Sequence, residues 1–276
     1  MKTIFITGTS SGIGRSTAKL FAEKGWNVVA TMRSPEKEAE LTQLKNVFVT
    51  RLDVEQKNTI PEAISLGIEH FGKIDVLLNN AGYGTSGIFE AATDEQIRRQ
   101  FEVNVFGLMD VTKAILPRFR ENKEGLIINI SSMGGRITLP TLSLYHSTKF
   151  AVEGFSEALS YELASQNIRI KLIEPGSIKT DFQGRSMDLY FDDSLTDYKE
   201  FVDNYREARK KMSENPNRGG YPEMVAEAIY KAVTDGSTQL RYLVGDDAKA
   251  YVKIKEESGD EAFIKHVSQA FSLPTN

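Results

Sequence analysis

Thr7-Gly8-Thr9-Ser10-Ser11-Gly12-Ile13-Gly14 stands between a β-branched run, Thr3-Ile4-Phe5-Ile6-Thr7, and a segment of helical periodicity that opens at Ile13. Three glycines at this spacing let the chain turn tightly, bring its backbone against a ligand, and pack a helix close to a strand. The first turn of that helix offers unpaired N–H groups and the positive end of the helix dipole, the combination that holds a pyrophosphate. Glycine-rich turns also serve as plain connections. The strand before this one and the helix after it point instead to a dinucleotide site.

The same alternation continues for two-thirds of the chain. Strand-length apolar runs at Asn27–Met32, Asn46–Leu52, Ile74–Asn79, Leu126–Ser131 and Arg169–Ile173 alternate with helical patterns near Ile13–Lys24, Thr59–Phe71, Thr93–Arg120 and Leu144–Ser165. Strands this apolar on both faces are covered on both sides. We therefore expect an α/β fold, a Rossmann-like doubly wound parallel sheet of about seven strands with helices on both faces. The last strand is Leu240–Val244, preceded by a helix over Pro222–Val233 with proline in its first turn. Residues from Asp247 onward read as a charged helical cap. With no repeat and no low-complexity linker, residues 1–276 read as one domain. Within it, the stretch from about 181 to 220 is highly charged yet carries Phe182, Met187, Leu189, Tyr190, Phe191, Tyr198, Phe201 and Tyr205. A polar segment this rich in aromatic residues reads as a substrate lid, not a disordered tail.

Composition narrows the chemistry. The 276 residues are 40% hydrophobic and 26% charged, enough to bury one sizeable core. Thirty-four basic residues against 38 acidic ones leave a net charge of −4, which predicts no nucleic-acid partner and no anionic membrane surface. There is no cysteine, which excludes a thiolate nucleophile and a cysteine-rich zinc site, and His70, His146 and His266 lack ligand spacing. No metal is expected. No apolar run approaches the roughly 20 residues of a membrane span, and the N-terminal apolar stretch is too short for a signal peptide. We expect a soluble, cytoplasmic protein.

Two further clusters carry polar chemistry. Asn79-Asn80-Ala81-Gly82 ends the fourth strand, at the edge where ligands bind in parallel sheets, although asparagine and glycine are common in turns of any kind. Ser132 follows the fifth strand, and Tyr145 and Lys149 are four apart, on one face if Leu144 onward is helical. An ammonium beside a phenol lowers the phenol's pKa from its usual ~10 toward neutrality, where it can pass a proton to or from a carbonyl oxygen. Ser132 is suited to hold that same oxygen. Taken alone, Tyr145 and Lys149 read better as two surface residues.

Together these pieces resemble the short-chain dehydrogenase/reductase family in its standard-length branch, over about residues 1 to 185 and more loosely through Val244. The cofactor signature appears at Thr7 to Gly14, the Asn-Asn-Ala-Gly motif at Asn79 to Gly82, and the Tyr-xxx-Lys motif at Tyr145 to Lys149. The family's serine lies thirteen residues before the tyrosine, which selects Ser132. Its helix asparagine matches Asn104, and its Pro-Gly after the sixth strand matches Pro175-Gly176, followed by Ile178 and Thr180.

The resemblance implies hydride transfer between a nicotinamide and a carbonyl or alcohol carbon. It implies Tyr145 as acid or base, Lys149 on the nicotinamide ribose, Ser132 orienting the substrate oxygen, and Asn104 fixing a water that links Lys149 to solvent. Gly8, Ser10, Ser11, Gly12, Ile13 and Gly14 would hold the phosphates. Asp53 would contact adenine, Asn80, Ala81 and Gly82 would line the cofactor, and Pro175, Gly176, Ile178 and Thr180 would hold the nicotinamide amide. The family's dimers and tetramers pair the helices here at Thr93–Arg120 and Leu144–Ser165, and both carry apolar residues on more than one face.

Within the family, Ser10-Ser11-Gly12-Ile13-Gly14 and Tyr145-His146-Ser147-Thr148-Lys149-Phe150-Ala151 look most like the 17β-hydroxysteroid and retinol dehydrogenases and their bacterial relatives. The second strand ends in Met32-Arg33, with no acidic side chain to bond a ribose 2′-OH, so NADP(H) is expected, held by Arg33. Leu139, Leu142, Phe182, Met187 and Tyr190 suggest a pocket for a small apolar carbonyl or alcohol, although they serve equally as pins for the lid. No arginine cluster near that pocket points to a phosphorylated or thioester-carrier substrate. A 3-oxoacyl-thioester reductase, a catalytically silent nucleotide sensor and a nucleotide-sugar epimerase or dehydratase stand as alternatives. The intact set of Ser132, Tyr145, Lys149 and Asn104 argues against the sensor. The single glycine pattern and short C-terminus argue against the sugar enzymes.

Overall fold

Seven parallel strands form the centre of the computed structural model, which describes residues 1–180, 187–214 and 219–274. In chain order the elements begin β1 (Thr3–Thr7), α1 (Gly12–Glu23), β2 (Asn27–Met32), β3 (Val47–Arg51), α2 (Thr59–Phe71) and β4 (Val76–Asn79). A short β5 (Gly84–Gly87) precedes α3 (Asp94–Phe101), α4 (Gly107–Asn122), β6 (Gly125–Ile130), α5 (Ser143–Ala164) and β7 (Ile168–Pro175). The chain then runs through β8 (Met187–Tyr190), α6 (Lys199–Ser213), α7 (Pro222–Thr234), β9 (Arg241–Val244) and α8 (Asp246–Ala270).

The sheet order is β3-β2-β1-β4-β6-β7-β9, the doubly wound order expected. Residue pairing starts from the centre: Ile4 of β1 stands between Val28 of β2 and Val76 of β4. The order reverses between β1 and β4, and at such a point the carboxyl ends of the strands open a crevice. One face of the sheet buries Ile6, Val28 and Leu78 against Phe21 of α1 and Ile229 of α7. The other buries Phe5, Val29 and Leu77 against Ile64, Ile115 and Leu159 of α2, α4 and α5. The strands are apolar on both faces because helices lie on both. Among the described residues no helix is long and apolar enough to cross a membrane.

Two features depart from the sequence expectation. The helix expected over Thr93–Arg120 is broken. A capping box between Thr93 and Gln96 starts α3, and a π-helical turn over Glu102–Phe106 separates it from α4, with the Gly107 N–H bonding back to the Glu102 carbonyl. A side chain at Gly107 would come within 2.7 Å of Val54 Cβ, so a glycine is needed where α4 enters beside the loop after β3. The second departure is a two-stranded parallel sheet, β5 with β8, that ties the start of the expected lid to the body. Gly84-Thr85-Ser86-Gly87 carries no strand signal of its own. Its glycine at 87 is required because a Cβ there would collide with the Tyr190 carbonyl.

Candidate active site

The glycine turn is built as a cradle. Gly8 and Gly12 take φ of 73° and 56°, in the left-handed region that favours glycine. Gly14 has no room for a side chain, because a Cβ would run into the Gly8 carbonyl and lie 2.5 Å from the Asn80 amide nitrogen. Asn80 is the stitch between the two motifs. Its side-chain nitrogen donates to the Thr7 and Gly8 carbonyls at 2.9 Å each, and the N–H groups of Asn80 and Ala81 donate to Thr7 Oγ1 at 3.0 Å. Ser11 precedes α1 without capping it, and no acidic residue stands in the first turn, so the helix start is open to an anion. Thr180 comes down over Gly12, where a Cβ would lie 3.5 Å from the threonine methyl. A glycine cradle with an uncapped helix N-terminus fits the pyrophosphate of a dinucleotide.

One cleft of about 770 Å³ runs from this cradle to the carboxyl end of β6. Of the expected cofactor residues, Gly8, Ser10, Ser11, Gly12 and Ile13 line it at the turn; Arg33 and Asp53 line it at one end; Asn80, Ala81 and Gly82 line its middle; and Pro175, Gly176, Ile178 and Thr180 form its roof. Gly14 lies behind the wall, where its role is packing. The Pro175-Gly176 turn is pinned from below, because Asp247 at the start of α8 accepts from the Ser177 N–H at 2.8 Å and fills the space a side chain at Gly176 would need.

Ser132, Tyr145 and Lys149 converge on the cleft. Tyr145 and Lys149 lie one turn apart on α5, and Ser132 follows β6 with its hydroxyl accepting from the Gly134 N–H at 3.0 Å. The Tyr145 hydroxyl shares a hydrogen bond with Ser132. The Lys149 ammonium donates to the Ile130 carbonyl at 2.9 Å. The electrostatics correct the sequence expectation of a lowered phenol pKa. Burial pushes Tyr145 up to about 12, with the Ser132 hydrogen bond pulling only weakly the other way. Burial also brings Lys149 down to about 8, opposed by the negative charge of Glu153. Loss of hydration favours the neutral form of each group, the protonated phenol and the uncharged amine.

Asn104 is buried in the π-turn, and both ends of its amide are engaged. Its nitrogen donates to the Tyr83 carbonyl at 2.8 Å and to Thr148 Oγ1 at 3.2 Å, and its oxygen accepts from the Tyr83 N–H at 3.0 Å. It holds the loop after β4 against α5. His146 is buried and held well below its usual pKa, at about 4, by desolvation. Its Nδ1 meets the Ile137 carbonyl at 2.7 Å, which fixes the loop after Ser132.

Of the residues expected to hold substrate, Leu139, Leu142 and Met187 line the cleft. Tyr190 does not. It is 4% exposed beneath β5 and anchors the two-stranded sheet, because the alternation of β8 turns it away from Leu189. Phe182 lies outside the described residues. Sequence reasoning missed Tyr83, Arg99, Asp188, Tyr205 and Arg209 on the same cleft; the β5–β8 pairing and the seat of α6 place the last three, and Tyr83 is held by Asn104 with Arg99 over its ring. It also missed a buried acid pair behind Lys149. Glu174, fully buried on β7, faces Glu153 of α5 across Arg136 and Arg241.

The family model for short chain dehydrogenase matches residues 2–188. The chain belongs to that family. Curated relatives of this short-chain dehydrogenase include an uncharacterized oxidoreductase of Schizosaccharomyces pombe, 39% identical over 84% of this chain and 96% of that one. A 3-ketodihydrosphingosine reductase of Bacteroides thetaiotaomicron is 36% identical over 88% of this chain and 87% of its own. Retinol dehydrogenase 8 of Bos taurus is 32% identical over 87% and 80%. A solved short-chain dehydrogenase from Streptomyces avermitilis superposes with a TM-score of 0.80, at 32% identity over 98% of this chain and 96% of that one. The 3-ketoacyl-(acyl-carrier-protein) reductase of Brucella melitensis, solved with NADH, has a TM-score of 0.74 at 28% identity, covering 90% and 98%. ElxO, solved with NADP bound, has a TM-score of 0.71 at 28% identity, covering 88% and 97%. The chain is an oxidoreductase of a family that uses nicotinamide cofactors.

Proposed function

We propose that this short-chain dehydrogenase is an NADP(H)-dependent reductase of ketones, or dehydrogenase of secondary alcohols, that carry an apolar body. The observation that carries this reading is the convergence of Ser132, Tyr145 and Lys149 on the cleft that begins at the glycine cradle. When bound, the nicotinamide supplies or takes the hydride. Tyr145 supplies the proton in ketone reduction and takes it up in alcohol oxidation. Its phenol is held protonated at neutral pH, the state that a ketone oxygen needs in a donor. Ser132, already bonded to that phenol, orients the same oxygen. Lys149 is anchored by the Ile130 carbonyl and presents its remaining donors to the nicotinamide ribose. Asn104 keeps the cleft floor in register, and the backbone carbonyls of its π-turn are the groups suited to hold a water between Lys149 and solvent.

Arg33 supports the preference for NADP(H). It stands exposed at the tip of β2 and lines the cleft, whereas Met32 packs into the core, so the tip of this strand presents no carboxylate. The nearby Arg15 is engaged by Glu38, at 2.7 and 3.0 Å, and by Glu40 at 2.7 Å. That leaves Arg33 to grip a 2′-phosphate. Solved relatives carry either cofactor form, one with NADH and one with NADP bound, and Arg33 is the feature of this chain that favours the phosphorylated one.

The segment from β8 through α6 would act as the substrate lid, since it supplies Met187 and Leu189 to the cleft opposite Leu139 and Leu142. A homodimer or homotetramer in the cytoplasm completes the reading. Tyr161 of α5 is 74% exposed and Phe106, before α4, 49%, on the two helices expected to meet a second copy. The test is NADPH oxidation, followed by absorbance, against a panel of alkyl and aryl ketones. No turnover with any ketone, and none with their alcohols and NADP⁺, would overturn the proposal.

A further inference from the structure

Arg209 of α6 lines the cleft, is half-buried, and makes no ion pair or hydrogen bond with any described residue. Its neighbours on the helix are all provided for. Lys199 pairs with Asp203 at 2.5 Å, Lys211 with Glu207 at 2.6 Å, and Arg206 lies 5.5 Å over the Phe191 ring. Lys210 points to solvent. The face that carries Arg209 is held in place. Tyr205, one turn earlier, lines the same cleft and stacks on Phe271 at 5.8 Å, and Ala208 is buried in the cluster of Met133, Ile137 and Phe263.

The other charges on the cleft are engaged or belong to its other end. Arg99 pairs with Glu55 at 3.1 Å, and the Asp188 carboxylate accepts from Gln96 of α3 at 3.3 Å. Asp53 accepts from the Glu55 N–H at 3.1 Å, and Lys149 is bound to Ile130. Arg33 stands at the dinucleotide end. The cleft that Arg209 lines also carries Leu139, Leu142, Met187 and Leu189, which suit an apolar body. A half-desolvated guanidinium whose donors no described residue engages is matched by a carboxylate that can accept two of them.

We infer that the substrate is an apolar ketone or alcohol that bears a carboxylate away from the reacting carbon, and that Arg209 selects it. This rests on the oxidoreductase reading above. The test compares a long-chain keto acid with its methyl ester, using the full chain with NADPH, for wild type and Arg209→Gln. Alongside it, calorimetry measures decanoate and decanamide binding to the NADP⁺-loaded protein. The expected result is that wild type prefers the acid, and that the variant lowers the acid-to-ester ratio of kcat/KM by about thirtyfold, the size of one charge-assisted contact. Decanoate should lose the same factor and decanamide should not. Arg209→Lys, which keeps the charge, should restore part of both.

An acid-to-ester ratio unchanged by the substitution, in a variant that melts like wild type, would overturn the inference while leaving the oxidoreductase reading intact. Decanoate binding that depends on Arg209, without turnover of either ketone, would support the anion site and count against the oxidoreductase. Equal binding of decanoate and decanamide by wild type would remove the inference by itself.

Discussion

The Lys149 ammonium lies 5.7 Å from the centre of the Tyr145 ring, with its proton donated to the Ile130 carbonyl. Lys149 is buried and Tyr145 half-buried, and desolvation moves them in opposite directions, the phenol up to about 12 and the ammonium down to about 8. The pair therefore enters neutral pH with its phenol protonated, ready to give a proton to a ketone. Tyr145→Phe keeps the ring and its packing and removes only that proton. Ketone reduction should fall by roughly 10² to 10⁴, the usual worth of general acid catalysis. NADPH binding should stay within a few-fold. Initial rates beside fluorescence titration decide this, and a variant that retains a tenth of wild-type turnover in the chemical step excludes Tyr145 as the acid.

Replacing Arg33 with alanine should weaken NADPH by about 2 kcal/mol, or roughly thirtyfold, and leave NADH nearly unchanged. Arg15 is held by Glu38 and Glu40 and offers no substitute. Dissociation constants for both cofactors, on wild type and variant, are the measurement. A wild-type protein that already prefers NADH sinks the assignment.

Gly14→Ala tests the cradle. The added methyl would meet the Gly8 carbonyl and the Asn80 amide, which is fixed by two hydrogen bonds and cannot swing aside without losing them. We expect a loss of about 1–3 kcal/mol in stability and a fall in NADPH affinity of about tenfold or more. Urea unfolding and cofactor titration report the two effects. Unchanged affinity would show that the turn tolerates a wider path than its geometry indicates.

The acid pair behind Lys149 predicts a pH effect on stability. Glu174 is fully buried, and desolvation together with the charge of Glu153 raises its pKa well above the ordinary glutamate range, against the pull of Arg136 and Arg241. The folded state thus holds this proton more tightly than the unfolded chain does. Stability falls as pH rises through that interval, because the unfolded state gives up the proton first. Wild type should therefore lose stability between about pH 5 and about pH 8 by this route, and Glu174→Gln, which mimics the protonated form, should lose less. Urea midpoints at the two pH values provide the check, and parallel shifts in both proteins would contradict it.

Light scattering at micromolar protein should return the mass of a dimer or tetramer. Tyr161→Glu, placing a charge on an exposed aromatic of α5, should reduce it. A monomer mass for wild type rejects this reading.

The strands of the doubly wound sheet and the cofactor end of the cleft were legible in the sequence because their signals are local. Strands covered on both faces must be apolar throughout, and the turn after β1 must have glycine at 8, 12 and 14, where φ or contact distance admits little else. Ser132, Tyr145 and Lys149 became legible as a set through the resemblance to a known family, because the spacing of Tyr145 and Lys149 alone better fits two surface residues. The rest depended on residues far apart in the chain. Gly84-Thr85-Ser86-Gly87 becomes a strand only because Met187-Asp188-Leu189-Tyr190 lies beside it, a pairing that also turns Tyr190 inward and Leu189 toward the cleft. The π-turn at Glu102–Phe106 arises where Gly107 must pass Val54. The phenol's pKa followed burial, which no spacing of residues along a chain can express. Arg209 lines the cleft on a helix seated by the stacking of Tyr205 on Phe271, 66 positions later, and such long-range packing is absent from any local reading of the chain.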